Sequence, residues 1–325
     1  TMNRAAASFP HVLGYTFGSL KGEIGRSLGA AHAFVVPLDL AKEIPAKTSG
    51  TLTIICDTYN GSAKEGSKPV TVKVTVPEND QTRPAVDMTL SVVSDLPSAF
   101  AGLHIKGKTQ LKATFNAQSE YSTIKSYALV AGSVRASGNP STTGFLLTSG
   151  NVTVKGTVYD ARGYDTSVVK EITVLPYENP SVVPYGKNKA VVCERCTADG
   201  TPHSGGVNLL IQAGRRYSSV TADGVQKNFC SLKYRIKAST AESFPGWTEL
   251  IGTGAGSNEI STVLTNLVPS VTASYDVQIM VEDTLGGEHI LDFIVPTDEV
   301  TFHLAASGKG AAFGKYAELE NALEV

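Results

Sequence analysis

Residues 150–179 read "GNVTVKGTVYDARGYDTSVVKEITVLPYEN". Val152, Val154, Gly156 and Val158 alternate with Thr153, Lys155 and Thr157, so one set faces a core and the other faces water, the period of a half-buried β-strand. The turn "DARG" supplies Asp160, whose carboxylate can bond the backbone, and Gly163, which tolerates a left-handed conformation. A second alternating run follows and stops at Pro176, because proline cannot donate to a strand ladder. The stretch predicts an antiparallel hairpin.

Two other stretches share this layout. "GTLTIICDTYNGSAKEGSKPVTVKVTVPEN" runs from Gly50 and "ASYDVQIMVEDTLGGEHILDFIVPTDEV" from Ala273, the second runs ending at Pro77 and Pro296. A hairpin recurring every 100 to 125 residues or so predicts an all-β chain of tandem immunoglobulin-like or fibronectin-III-like β-sandwiches, modules of ~100 residues. The expected division is 1–83, 84–176 and 177–300 for three sandwiches, with 301–325 a glycine-rich C-terminal segment leading to a further region. "PENDQTRP" (77–84) and "PYENP" (176–180) read as short stiff linkers. Helix is expected only as one turn in "LDLAKEIPA" (38–46), stopped by Pro45, and as a short terminal helix over 315–324.

Composition agrees with sheet and polar turns. Among 325 residues, 18 % are charged, below the roughly 25 % of average soluble chains. A net charge of −2 argues against a general nucleic-acid binder, which carries a basic excess or stripe. No apolar run approaches ~18 residues, so no membrane span is expected, and "TMNRAAASFP" lacks the apolar core of a signal peptide. A start at Thr1 and an end at "ENALEV" are read as those of a piece of a longer polypeptide.

Several motifs hint at chemistry. "SGKGAAFGKY" (307–316) looks like a phosphate cradle, but a Walker A loop would need glycine where Lys309 stands and Ser or Thr where Tyr316 stands. A dinucleotide fingerprint would need glycine at Phe313, and both motifs need a βαβ setting. No nucleotide or other cofactor is expected; small residues instead allow close backbone approach, with Phe313 as anchor. "CERC" (Cys193, Cys196), with His203 and Cys230 downstream, is one half of a zinc site without a second close pair, and residues three apart on a strand face opposite sides. Zinc and a Cys196–Cys230 disulfide are weighed against simple buried thiols, the favoured reading; Cys56 reads as core. The six histidines are scattered, and no G-x-S-x-G or H-E-x-x-H occurs, so no catalytic residues are assigned. Asp160, Asp165, Glu282 and Asp283 could pair as acid and base or hold calcium, but turn capping is the simpler role and no metal site is assigned. Trp247, the only tryptophan, could stack on a sugar or be buried under a sheet, burial being favoured; with Tyr217 and Arg216 it makes the one proposed cluster for a glycan or partner contact.

"YTFGSLKGEIG", "TIKSYALVAGS", "VYDARGYDTSVVKEITVLPYENP", "KNFCSLKYRIK" and "GKGAAFGKYAELENALEV" together resemble a family of siphophage and prophage minor tail proteins, of the tail tip or baseplate, from phages of Gram-positive hosts. The resemblance runs from about His11 to Val325 and implies a virion protein made in the host cytoplasm. Its expected role is a non-enzymatic structural or adhesive one, as a multi-domain spacer or host-attachment arm. The expected partners are other tail and baseplate subunits, with host cell-surface polysaccharide and a homo-oligomer as further expectations. A carbohydrate-binding module recognising cell-wall glycans is the alternative, and an enzyme is the least supported. In related chains the "GKGAAFGK" region leads into a further part, so a terminal receptor-binding or enzymatic domain is expected beyond Val325.

Overall fold

The computed structural model describes residues 8–28, 31–254, 258–298, 302–304, 309–313 and 322–324. All three hairpins form. Strands β1 (His11–Phe17), β2 (Leu20–Leu28), β3 (Ser49–Asn60) and β4 (Ala63–Thr75) make one antiparallel sheet in the order β2-β1-β3-β4. Between β2 and β3, Leu38–Glu43 forms the expected single turn, as a 3-10 helix. Its Leu40 packs with Phe17 and Leu52, flanked by Phe34, Ile44 and Val74. A two-sheet sandwich was expected here; the described residues give one sheet with a 3-10 cap. The reason is local: the stretch that would supply a second sheet carries Pro37, Pro45 and the unalternating "LDLAKE".

The next segment is a sandwich. Strands β5 (Ala85–Val93), β6 (His104–Ile105), β7 (Gln110–Gln118), β8 (Ile124–Ala131), β9 (Val134–Ser137), β10 (Ser141–Phe145), β11 (Gly150–Asp160) and β12 (Asp165–Leu175) form sheets β10-β7-β5 and β6-β12-β11-β8-β9. Met88, Leu111 and Phe115 from the first meet Leu129, Val152, Val154 and Val158 from the second. Each such side chain contributes about 1.5–3 kcal/mol by leaving water. Gly156 sits where a Cβ would lie 2.5 Å from the Phe115 ring and 2.8 Å from Met88 Sδ, so its missing side chain lets the two sheets close.

A second sandwich pairs β13 (Ser181–Pro184), β14 (Val192–Cys196), β15 (Asn208–Arg216) and β20 (Glu259–Leu264) against β18 (Cys230–Ala238), β19 (Thr248–Ile251), β21 (Tyr275–Asp283) and β22 (Glu288–Val295). In the second sheet the order is β19-β18-β21-β22. Leu209, Ile211, Leu232, Val277, Ile279 and Val281 form its core. A two-stranded ribbon joins β16 (Thr221–Ala222) to β17 (Val225–Gln226).

At the C-terminal end, β23 (Phe302–Leu304) pairs antiparallel with β24 (Ala311–Phe313), and β24 pairs in parallel with β25 (Leu323–Glu324). The terminal helix expected over 315–324 is corrected at 323–324, whose backbone joins a sheet; so short a helix has little stability of its own. Residues 315–321, like half of "SGKGAAFGKY" (307–308 and 314–316) and the Phe313 side chain, lie outside the described residues. The described chain divides into two compact units, Thr1–Ser94 with His104–Val174, and Asp95–Leu103 with Leu175–Val325.

Candidate functional site

Two of the hairpin carboxylates, Asp160 and Asp283, are turn caps. Asp160 Oδ1 accepts from the backbone N–H of Arg162 (2.8 Å) and Tyr164 (2.9 Å). Asp283 Oδ1 does the same for Leu285 (3.1 Å) and Gly287 (2.8 Å), while its Oδ2 accepts from Asn228 Nδ2 (3.0 Å). Gly163 and Gly286 take φ of 95° and 71°, the left-handed geometry each turn needs. Glu282 pairs with Lys233 at 2.8 Å. Among the described residues no three His, Cys, Asp or Glu side chains gather where a metal could sit.

Three arginines that sequence reasoning passed over are buried. Arg162 Nε donates to the Lys47 carbonyl (3.1 Å), and its Nη2 to the Ala41 (2.5 Å) and Tyr121 carbonyls. Its Nη1 lies 3.9 Å from Asp160 Oδ2, both side chains fully buried. Burial lowers the Arg162 pKa from its ordinary value, with Asp160 acting in the opposite sense. Arg195 donates through all five N–H groups to carbonyls of Pro296, Gly206, Val268, Ser270 and Ala273, at 2.8–3.0 Å. Arg215 reaches the carbonyls of Cys230, Gly252 (2.9 Å) and Gly254 (3.1 Å). One signal was available: strand alternation puts Arg195 on the same side as Cys193, which packs on the core.

All four cysteines are free thiols. Burial, helped by Glu194, pushes Cys193 up to about 12. Burial also pushes Cys230 up to about 11. Both stay protonated at neutral pH, so neither is a poised nucleophile.

The proposed cluster of Trp247, Tyr217 and Arg216 takes different neighbours. Tyr217 packs against the core between the sheets of the second sandwich, and Arg216 is exposed at the end of β15. Trp247 is half-buried on the outer face of β18, not under the sheet. The Arg235 guanidinium lies 4.3 Å from its ring centroid and 4.7 Å from that of Phe244. Lys237 Nζ lies 5.3 Å from the Phe244 ring and 3.1 Å from Asp276 Oδ2. From Arg235 a polar chain crosses the sheet, Nε to Gln278 Oε1 (2.7 Å) and Gln278 Nε2 to Asp292 Oδ1 (2.7 Å). Ser239 and then Lys237 hold the Asp276 carboxyl below the usual range. Ring, cation, amide and carboxylate thus share one open face.

Among the described residues no helix is long and apolar enough to cross a membrane. No curated protein matches the chain. Solved structures with a similar fold include the fibronectin(III)-like modules of Clostridium thermocellum CbhA (12% identity, 64% of this chain and 94% of that one, TM-score 0.26). They also include a tetra-tandem repeat from the extending region of a large adhesion protein (14% identity, 90% and 68%, TM-score 0.26). A third is a Ca2+-stabilized adhesin of an Antarctic bacterium (10% identity, 92% and 69%, TM-score 0.36). Likeness of this degree carries no functional argument. The family model described as siphovirus protein of unknown function (DUF859) matches residues 1–325, and the chain belongs to that siphovirus family.

Proposed function

We propose that the chain is a non-enzymatic structural or adhesive component of a phage tail, a multi-domain spacer or host-attachment arm within the virion. The supporting observation is where its charged groups go. Buried arginines and turn aspartates are bound to backbone groups that hold segments together, whereas an enzyme needs acid, base or nucleophile converging on one space. Three modules over 1–83, 84–176 and 177–300 in tandem, with 301–325 leading onward, would set the distance between an anchoring end and a distal end. Other tail and baseplate subunits are the partners this role requires.

Antibodies against the chain should label the tail of intact particles in electron micrographs. A protein made during infection but absent from purified virions would overturn the proposal. A second reading, recognition of host wall glycans, is favoured by the Trp247 face alone.

A further inference from the structure

We propose that the outer face of the β18-β21-β22 sheet binds a neutral, hydroxyl-rich glycan, with Trp247 as its stacking platform and Gln278 and Asp292 as its polar contacts. This rests on the attachment reading and names the surface that would perform it.

The charges on this face argue for a neutral ligand. Lys233 is paired with Glu282 (2.8 Å) and Lys237 with Asp276 (3.1 Å). Arg235 lies against two rings and is bonded to Gln278. Among the described residues of this face, both lysines are thus neutralised by carboxylates, and the remaining cation, Arg235, is covered by the rings. Asp292, bonded to the Gln278 amide, adds a carboxylate to this face, and a carboxylate repels polyanions while accepting bonds from sugar hydroxyls. Two residues on, on the same side of β22, Ile294 is 73% exposed. The face therefore offers an aromatic ring, an apolar side chain, an amide and an acceptor carboxylate. Flat apolar patches of C–H groups and ring hydroxyls are the matching features of a sugar.

Arg235 also serves the platform. Stacked on the rings, it fixes the loop that carries Phe244 and Trp247, so little ordering remains to be done on binding.

The sole tryptophan gives a direct readout. Emission from Trp247 in the intact protein would be titrated with neutral Gram-positive wall polysaccharide stripped of phosphate polymers, and separately with wall teichoic acid. The expected result is a saturable emission change with the neutral polymer, unaltered by 0.5 M salt (roughly a 4 Å Debye length). Sedimentation with purified walls would then compare Gln278→Ala, Asp292→Asn and Trp247→Ala with the parent. Each should bind about tenfold more weakly at an unchanged melting temperature.

Salt-sensitive binding of teichoic acid alone would overturn the neutral-ligand assignment. Walls held equally well by parent and variants would overturn this surface and leave the attachment reading standing. No saturable binding to any wall would overturn both.

Discussion

Arg195 is a buried charge whose hydrogen-bond partners among the described residues are backbone carbonyls. Its planar fork points five N–H groups at five carbonyls, and the Tyr275 ring lies 5.6 Å from the guanidinium carbon. A lysine has three donors on a flexible stem and cannot reproduce that fork. Arg195→Lys should therefore leave buried carbonyls unpaired and cost on the order of 3 kcal/mol. Arg216→Ala, at an exposed position, should stay within about 0.5 kcal/mol. Urea denaturation of both variants checks the pair, and equal midpoints would show that the Arg195 network is not stabilising. At this scale the sequence was only half legible. Trp247 stood out as the sole tryptophan, but its partner Arg235 did not, because the loop that folds back over β18 follows no periodicity.

The element that recurs is the hairpin closed by an Asp-x-x-Gly turn. Asp160 N–H donates to the Tyr164 carbonyl at 2.9 Å, and Asp283 N–H to the Gly287 carbonyl at 2.9 Å. Incoming chain packs on both turns. Tyr164 Oη donates to the Val76 carbonyl (2.7 Å), and a Cβ at Gly287 would stand 2.1 Å from Tyr177 Oη and 2.6 Å from Pro180 Cδ. Gly287→Ala must displace that chain and should cost about 1–3 kcal/mol. Gly246→Ala, with nothing within 4 Å of its Cβ, is the matched control; equal thermal shifts would remove the packing argument.

A second test at this scale concerns His104, next to the core residue Ile105. Burial lowers its pKa from the ordinary 6.5, so the folded chain resists a proton that the unfolded chain accepts below about 6.5. The stability this contributes is whole above that pH and is lost as pH falls toward the folded-state pKa. Melting of the parent should drop between pH 7.5 and 5.0 by more than that of His104→Asn; parallel drops would refute the assignment. The hairpins were readable because alternation, turn residues and a closing proline coincide in each. The single sheet of β1 to β4 was not, since among the described residues it depends on what 31–48 fail to supply.

At the scale of the whole chain, rigidity depends on side chains that cross between segments. Within the unit that holds β1 to β12, the joint between the first sheet and the first sandwich contains Arg162, Tyr164 and a small apolar cluster of Ala41, Val76, Ile44 and Tyr121. Ser122 Oγ adds a bond to the Pro45 carbonyl at 2.6 Å. The Arg162 guanidinium donates to both sides, through Ala41 and Lys47 on one and Tyr121 on the other. Arg162→Ala should leave the sandwich core intact, because Met88, Leu129 and Val154 do not touch the joint. It should loosen the 3-10 turn at Leu38–Glu43, whose Ala41 carbonyl then loses the Arg162 donor and keeps the Ile44 N–H at 3.1 Å. Hydrogen exchange separates the two effects: amides at 40–47 should lose protection by about tenfold or more, while those of β8 and β11 stay protected. Unchanged exchange at 40–47 would mean that the apolar cluster alone holds the joint. Loss of protection throughout would mean that the first sheet and the first sandwich fold as one cooperative unit. In a spacer arm, that unit and not the single module would then be the length-setting element.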